Sequence, residues 1–276
     1  MKALRYTASI LFIATILTSC TTYYGYGISG VNPVHFDKSV KSDSSGIPVT
    51  ISGSYSNTFM KMTHHQEFSH HGTFSFASRK EVEKLTFYYG GHGYYGSYHV
   101  FNSKVNNTEE LVVEDVRVAP KPDYRFNHTF YGGGVSAEVD LNFKLYRGNY
   151  YIGFQPNLYV EKGSFSRFRD SITAIKDTLG WDRHSFSNLG NSPLGGSFLL
   201  ITGMSWTDSK TTFGGEMSFG TATAIPLTSK MTYPTFDTLL GLKAFIKQKG
   251  YTVFGQFSSS WYSGGGLTVG VAYSFW

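Results

Sequence analysis

The residues of this 276-residue chain best suited to chemistry are its histidines, its one cysteine and a few serine-bearing runs. His64, His65, His70 and His71, with Glu67 between them, form the densest group of nitrogen and carboxylate donors. Neutral imidazole is a good ligand for Zn²⁺ or Cu²⁺. The spacing, however, lacks the HExxH arrangement that sets two ligands and a base on one helix. These side chains are read as solvated histidines in or beside a loop, and no metal is assigned. His92 and His99 stand in the glycine-rich run 88–101 and receive no role, since either face of that strand could carry them. His184-Ser185-Phe186-Ser187-Asn188 puts a nucleophile beside a base, with Asp177 or Asp182 as the orienting acid such a pair requires. All of them fall in one long loop and no GxSxG elbow occurs, so no catalytic residue is assigned and the chain is read as not an enzyme. Gly25-Tyr26-Gly27-Ile28-Ser29-Gly30 spells GxGxxG, but it has neither the preceding buried strand nor the following helix that turns those glycines into a pyrophosphate site. No cofactor is expected.

Composition narrows the class. A single cysteine excludes an internal disulfide framework and every multi-cysteine zinc site. Aromatic residues make up 17% of the chain and charged residues 16%. An average soluble domain is about one quarter charged, so this surface is poor in charge and rich in rings. Extended disorder has the opposite composition. The net charge of +5 is not gathered into any Lys/Arg run, so no nucleic-acid partner is expected.

The elements begin with a processing segment. Residues 1–19 carry Lys2 and Arg5, then an apolar core through Ile10, Leu11, Phe12, Ile13, Ile16 and Leu17, and end in small residues. That order is a secretory signal. Its core of about a dozen residues is shorter than the roughly 20 that a helix needs to cross a bilayer. The junction Leu17-Thr18-Ser19-Cys20 resembles the lipobox of bacterial lipoproteins. The resemblance implies that Cys20 is acylated and becomes the first mature residue. Because Thr21 is not the Asp associated with inner-membrane retention, it also implies delivery to the outer membrane. Residues 20–46, with Asn32, Pro33, Ser42, Asp43, Ser44, Ser45 and Gly46, read as a lipidated flexible tether.

From 47 to 276 the apolar period is two, not 3.6. Val135, Ala137, Val139, Leu141, Phe143 and Leu145 alternate with Ser136, Glu138, Asp140, Asn142, Lys144 and Tyr146. The next run repeats the pattern, with Arg147-Gly148-Asn149 read as the hairpin turn between them. Further strands are expected near 49–59, 68–77, 85–101, 195–207, 211–223, 237–247, 250–260 and 266–276. Many exceed the roughly nine residues with which a tilted strand crosses a bilayer. Links alternate between short and long, the longest near 102–133 and 163–194. Short turns on one side and long loops on the other are the habit of membrane barrels. The fold class is therefore all-β, an antiparallel transmembrane up-and-down β-barrel of about ten strands, with eight or twelve as alternatives. An even count puts both ends of the chain, and a lipid on Cys20, on the periplasmic side. The alternation from Leu267 to Phe275 resembles the aromatic-ended strand by which outer-membrane barrels are recognised for insertion, although Trp276 follows the in-phase Phe275. That resemblance implies the barrel-assembly machinery as a partner.

With the apolar face toward lipid, Glu138, Asp140, Lys144, Glu161, Glu216 and Lys243 form a polar network in the lumen. Mixed charges in so narrow a space must pair, because an unpaired buried charge costs several kcal/mol. That favours a filled or very narrow interior. Arg125, Arg167 and Arg169 fall in or beside the long loops, where cations would meet outer-membrane lipid and the phosphates of lipopolysaccharide. The function read from these features is a lipid-anchored outer-membrane barrel with a structural or surface-binding role carried by its loops; its surface ligand is not identified. The alternatives are a narrow porin or transport channel, an outer-membrane lipid-modifying hydrolase, and a soluble periplasmic β-lipoprotein with its apolar face inward. The hydrolase draws on the likeness of His184 to Asn188 to the His-x-Ser-Asn run of lipid A deacylases, from which it departs by one extra residue.

Overall fold

The computed structural model describes residues 34–38, 48–61, 65–102, 112–113, 116–117, 126–167, 193–208, 210–225, 236–260 and 264–275. Cys20, the glycines of 25–30, His64, Arg125, Arg169 and the 184–188 run lie outside the described residues. The strands are β1 (Val49–Lys61), β2 (His65–Val82), β3 (Leu85–Asn102), β4 (Val112–Val113), β5 (Val116–Arg117), β6 (Phe126–Leu145), β7 (Gly148–Gly163), β8 (Leu194–Asp208), β9 (Thr211–Ala224), β10 (Phe236–Gln248), β11 (Tyr251–Ser260) and β12 (Gly264–Phe275). Ten of them close into one barrel in the order β1-β12-β11-β10-β9-β8-β7-β6-β3-β2, while β4 and β5 make a separate small hairpin. Every neighbouring pair of the barrel is antiparallel.

The alternation decides which face is which. Val135, Leu200, Phe219, Leu267 and Val271 are exposed, whereas Ser136, Glu138, Asp140, Gln155 and Glu161 are buried. Water on the outside would leave a continuous apolar belt wet, so the outer face is the one built for lipid. The soluble alternative with an inward apolar face is thereby overturned. Leu200 pairs with Phe219, and Phe219 with Leu240, so three outward apolar side chains share one level near the middle of their strands.

The turns at 83–84, 146–147 and 249–250 lie at one end of the barrel. Val49 pairs with Phe275 at that same end, so the first and last barrel strands start and finish beside the short turns. Lys249 and Gly250 both have positive φ, 49° and 85°, as a two-residue turn matched to strand twist requires. The turn expected at Arg147-Gly148-Asn149 sits one position earlier, on Tyr146 and Arg147, and Gly148 is already paired with Leu145. Gly148 is needed for close approach rather than for φ, since a Cβ there would run into the Ser205 carbonyl.

A second boundary also moves. The loop expected to last until 133 ends earlier, because β6 starts at Phe126 and carries Gly132, Gly133 and Gly134 inside the ladder against β3. Three successive glycines read as a turn in sequence; in the wall they make room for inward rings from β3. The ring of His92 stands 2.8 Å from where a Cβ on Gly134 would be, and Tyr94 donates its hydroxyl to the Val160 carbonyl at 3.0 Å across Gly132. Strand lengths are uneven, with 18, 18 and 20 residues in β2, β3 and β6 against 10 and 12 in β11 and β12.

Candidate functional site

The lining of the lumen is lopsided. On β1, β12 and part of β2 the inward residues are small hydroxyls joined across strands: Thr50 to Ser274 at 3.0 Å, Ser52 to Ser75 at 2.5 Å and Ser56 to Thr268 at 2.8 Å. The opposite wall carries the longer groups Glu138 and Asp140 on β6, Tyr151 and Gln155 on β7, and Glu216 on β9. A ten-stranded barrel lined on one side by Ser and Thr cannot fill itself with wall side chains alone.

Residues 34–38, read from the sequence as tether, occupy that room. All five of Val34, His35, Phe36, Asp37 and Lys38 are buried, none more than 6% exposed. Their contacts alternate as those of an extended chain do. Val34 and Phe36 cluster with Ala77 and Tyr88, the rings of Phe36 and Tyr88 being 5.3 Å apart. His35 points the other way and stacks on Phe254, with ring centres 4.5 Å apart and planes within 5°.

The last two residues carry the charge. Lys38 extends its ammonium to Glu138 and to Asp140, the latter at 2.7 Å, and lies over the Tyr88 ring at 4.2 Å and the Tyr151 ring at 4.9 Å. Asp37 receives Lys247 at 2.5 Å and the Ser274 hydroxyl at 2.7 Å. Main-chain carbonyls are also held: Arg79 donates to that of Asp37 at 3.0 Å and Ser205 to that of Lys38 at 3.3 Å. Nearby, Tyr151 donates to Glu216 at 3.2 Å, and Lys243 stands 3.9 Å from the same carboxylate. Each charge brought in by the segment thus meets compensating charge on the wall, the condition under which buried ions are tolerated.

Burial opposes ionisation of Asp37, but the charges of Lys247 and Arg79, with hydrogen bonds from Lys247 and Ser274, outweigh it and hold its carboxyl below the ordinary carboxylate range. His35 moves down as well, first through burial and then through Lys243, Lys38 and Lys247, against the opposite pull of Asp37. Neither ring nitrogen of His35 has a hydrogen-bond partner among the described residues.

Of the residues expected in the lumen, Glu138, Asp140, Glu161, Glu216 and Lys243 are buried inside the barrel. Lys144 is not: it is exposed, paired with Asn149 beside the 146–147 turn where the barrel opens to water. The ammonium that meets Glu138 and Asp140 comes from Lys38 instead. Arg167 is exposed at the end of a helical turn, 164–167, that follows β7. Among the described side chains, the histidines do not gather at one point. His71 and His92 are buried inside with ring nitrogens unpartnered among the described residues, whereas His70 stacks on His99 at 5.3 Å. Period two thereby separates adjacent His70 and His71. No group of three or more His, Cys, Asp or Glu fit to hold a metal occurs among the described residues.

No protein-family model and no curated protein matches the chain. Among solved structures, the β domain of the Bordetella autotransporter BrkA is 11% identical, covering 83% of this chain and 100% of that one, with a TM-score of 0.45. The translocator domain of the autotransporter NalP from Neisseria meningitidis is 14% identical, covering 84% and 89%, with a TM-score of 0.36. The Ralstonia pickettii toluene transporter TbuX is 7% identical over 84% and 89%, with a TM-score of 0.33. These figures add nothing to the architecture that the strand pairing already establishes.

Proposed function

We propose that this protein is a lipid-anchored outer-membrane barrel, closed by its own N-terminal segment, whose work is done by the loops at the end opposite the short turns. The observation that carries it is the seated segment: Lys38 between Glu138 and Asp140, and Asp37 against Lys247, occupy the lumen toward its short-turn end with paired charge. An open pore would need that space to hold water. Cys20 supplies the anchor in this reading, and the short-turn end, where β1 begins, faces the periplasm. Arg125, Arg167 and Arg169 serve as lipopolysaccharide contacts at the outer rim. Loops on a rigid scaffold are where binding residues concentrate.

Replacing 166–190 by a short Gly/Ser turn tests this directly. The barrel is expected to stay folded and heat-modifiable on gels, to carry its lipid, and to lose binding to lipopolysaccharide. Planar-bilayer recordings of the intact protein are expected to show no porin-like conductance. Steady conductance that changes with Glu138→Gln would move the function to the lumen.

A further inference from the structure

We infer that the barrel floor is a peptide-binding site with a defined code, an acidic residue followed by a basic one in an extended chain, and that residues 34–38 are its occupant in cis. Going beyond the loop-based function, it rests on how the segment is held rather than on the closed state of the lumen.

Four features of the wall act together on one dipeptide. A carboxylate pair, Glu138 and Asp140, takes the basic side chain, with the faces of Tyr88 and Tyr151 beside its ammonium. A cation and a hydroxyl, Lys247 and Ser274, take the acidic side chain. Arg79 and Ser205 donate to the two main-chain carbonyls, which any peptide supplies and a free amine or carboxylic acid does not. Phe254 and Tyr88 receive rings at the preceding two positions. Acidic and basic partners sit on different strands, β6 against β10 and β12, so the order of the two charges along the peptide is read as well as their presence. Charge-assisted hydrogen bonds are the strong and geometry-dependent ones, so reversing the order places each charge against its own sign.

The segment is a separate stretch of chain ahead of β1 and belongs to no strand of the wall. A peptide of the same chemistry arriving from the short-turn side therefore competes with it for the same contacts. The cis copy holds the advantage of a high effective concentration.

The test uses the full chain with Val34–Lys38 replaced by Gly-Ser-Gly-Ser-Gly, purified in detergent and checked for heat-modifiable mobility. Acetyl-Val-His-Phe-Asp-Lys-amide is expected to bind it saturably by calorimetry. Acetyl-Val-His-Phe-Lys-Asp-amide should bind about tenfold more weakly or worse, and Glu138→Gln with Asp140→Asn should erase the difference. No saturable binding, or equal binding of the two peptides, would overturn the inference. Should the replaced chain fail to fold, Lys38→Ala in the otherwise intact protein decides instead. Butylammonium is expected to raise the heat-modification midpoint of that variant and leave the wild type unmoved, while sodium butyrate at equal ionic strength moves neither protein. An equal response to both salts, or to neither, refutes a wall that recognises the cation.

Discussion

Lys38→Met isolates the contact on which the seated segment depends. The substitution keeps an unbranched side chain of similar length over the Tyr88 and Tyr151 rings but withdraws the ammonium from Glu138 and Asp140. Breaking a buried ion pair from one side costs about 3–5 kcal/mol, because the surviving charge is left uncompensated. Here two carboxylates survive, 1% or less exposed and two residues apart on one strand, so the upper half of that range applies. The wall can lower the cost by releasing 34–38 and letting water in, or by taking up a proton on the carboxylate pair. Seating should therefore weaken by a comparable amount, a factor of about 10³ or a few times more at 1.4 kcal/mol per decade. Hydrogen exchange of the 34–38 amides, followed by mass spectrometry on the barrel in detergent, reads that opening directly and should accelerate by the same factor. Adding Glu138→Gln and Asp140→Asn to Lys38→Met removes the stranded charges and should restore most of the protection. Exchange in the single variant within threefold of wild type would refute the reasoning, and so would equal acceleration in the triple variant.

Acid should loosen the same segment in the wild type, because His35 and Asp37 both bind protons less readily seated than free. Protonation of the released state begins to favour opening as pH falls below about 6.5 through His35, and again below about 3.9 through Asp37. Exchange of 34–38 between pH 7.5 and 5, corrected for the intrinsic rate, should rise, and His35→Phe should flatten the upper part of that rise. On the outer face, Leu200→Arg should cost about 2–4 kcal/mol and impair assembly, since its level with Phe219 and Leu240 lies near mid-span. The same change at Leu141, closer to the 146–147 turn, should cost less; urea titrations in lipid vesicles compare the two. Cys20→Ala should abolish fatty-acid labelling of the chain.

The barrel wall was legible because period two runs through strand after strand and the links alternate in length. Both signals accumulate over the chain, so a one-residue error at Gly148 or an eight-residue error at Gly132 to Gly134 leaves the count of ten untouched. Residues 34–38 were not legible, being too short to establish a period and flanked by Pro33 and a Ser- and Gly-bearing run that reads as linker. Their partners lie 100 and 237 positions away, at Glu138 and Ser274. One clue was present. Glu138 and Asp140 share the inner face of β6 with no cation paired across from them, since Tyr88 and Thr86 hold their level on β3 and Gly153 faces Asp140 on β7. Two carboxylates facing inward without a neighbour ask for a base from elsewhere, and Lys144 answered that need in sequence only because it is the next basic residue on the same face.

The bond from Ser274 to Asp37 joins a residue ahead of the first barrel strand to one near the end of the last. Neither the β1–β12 seam nor the Ser274 side of the Asp37 seat exists until β12 has been delivered. Folding is thereby postponed to a late and concerted step, with a contact order that predicts slow closure. A chain stalled before Gly264 would present β1 as an open edge, ready to pair with another copy. The stitch between head and tail thus couples the seating of Asp37 to closure of the ring, since Ser274 stands beside it on the strand that pairs with β1.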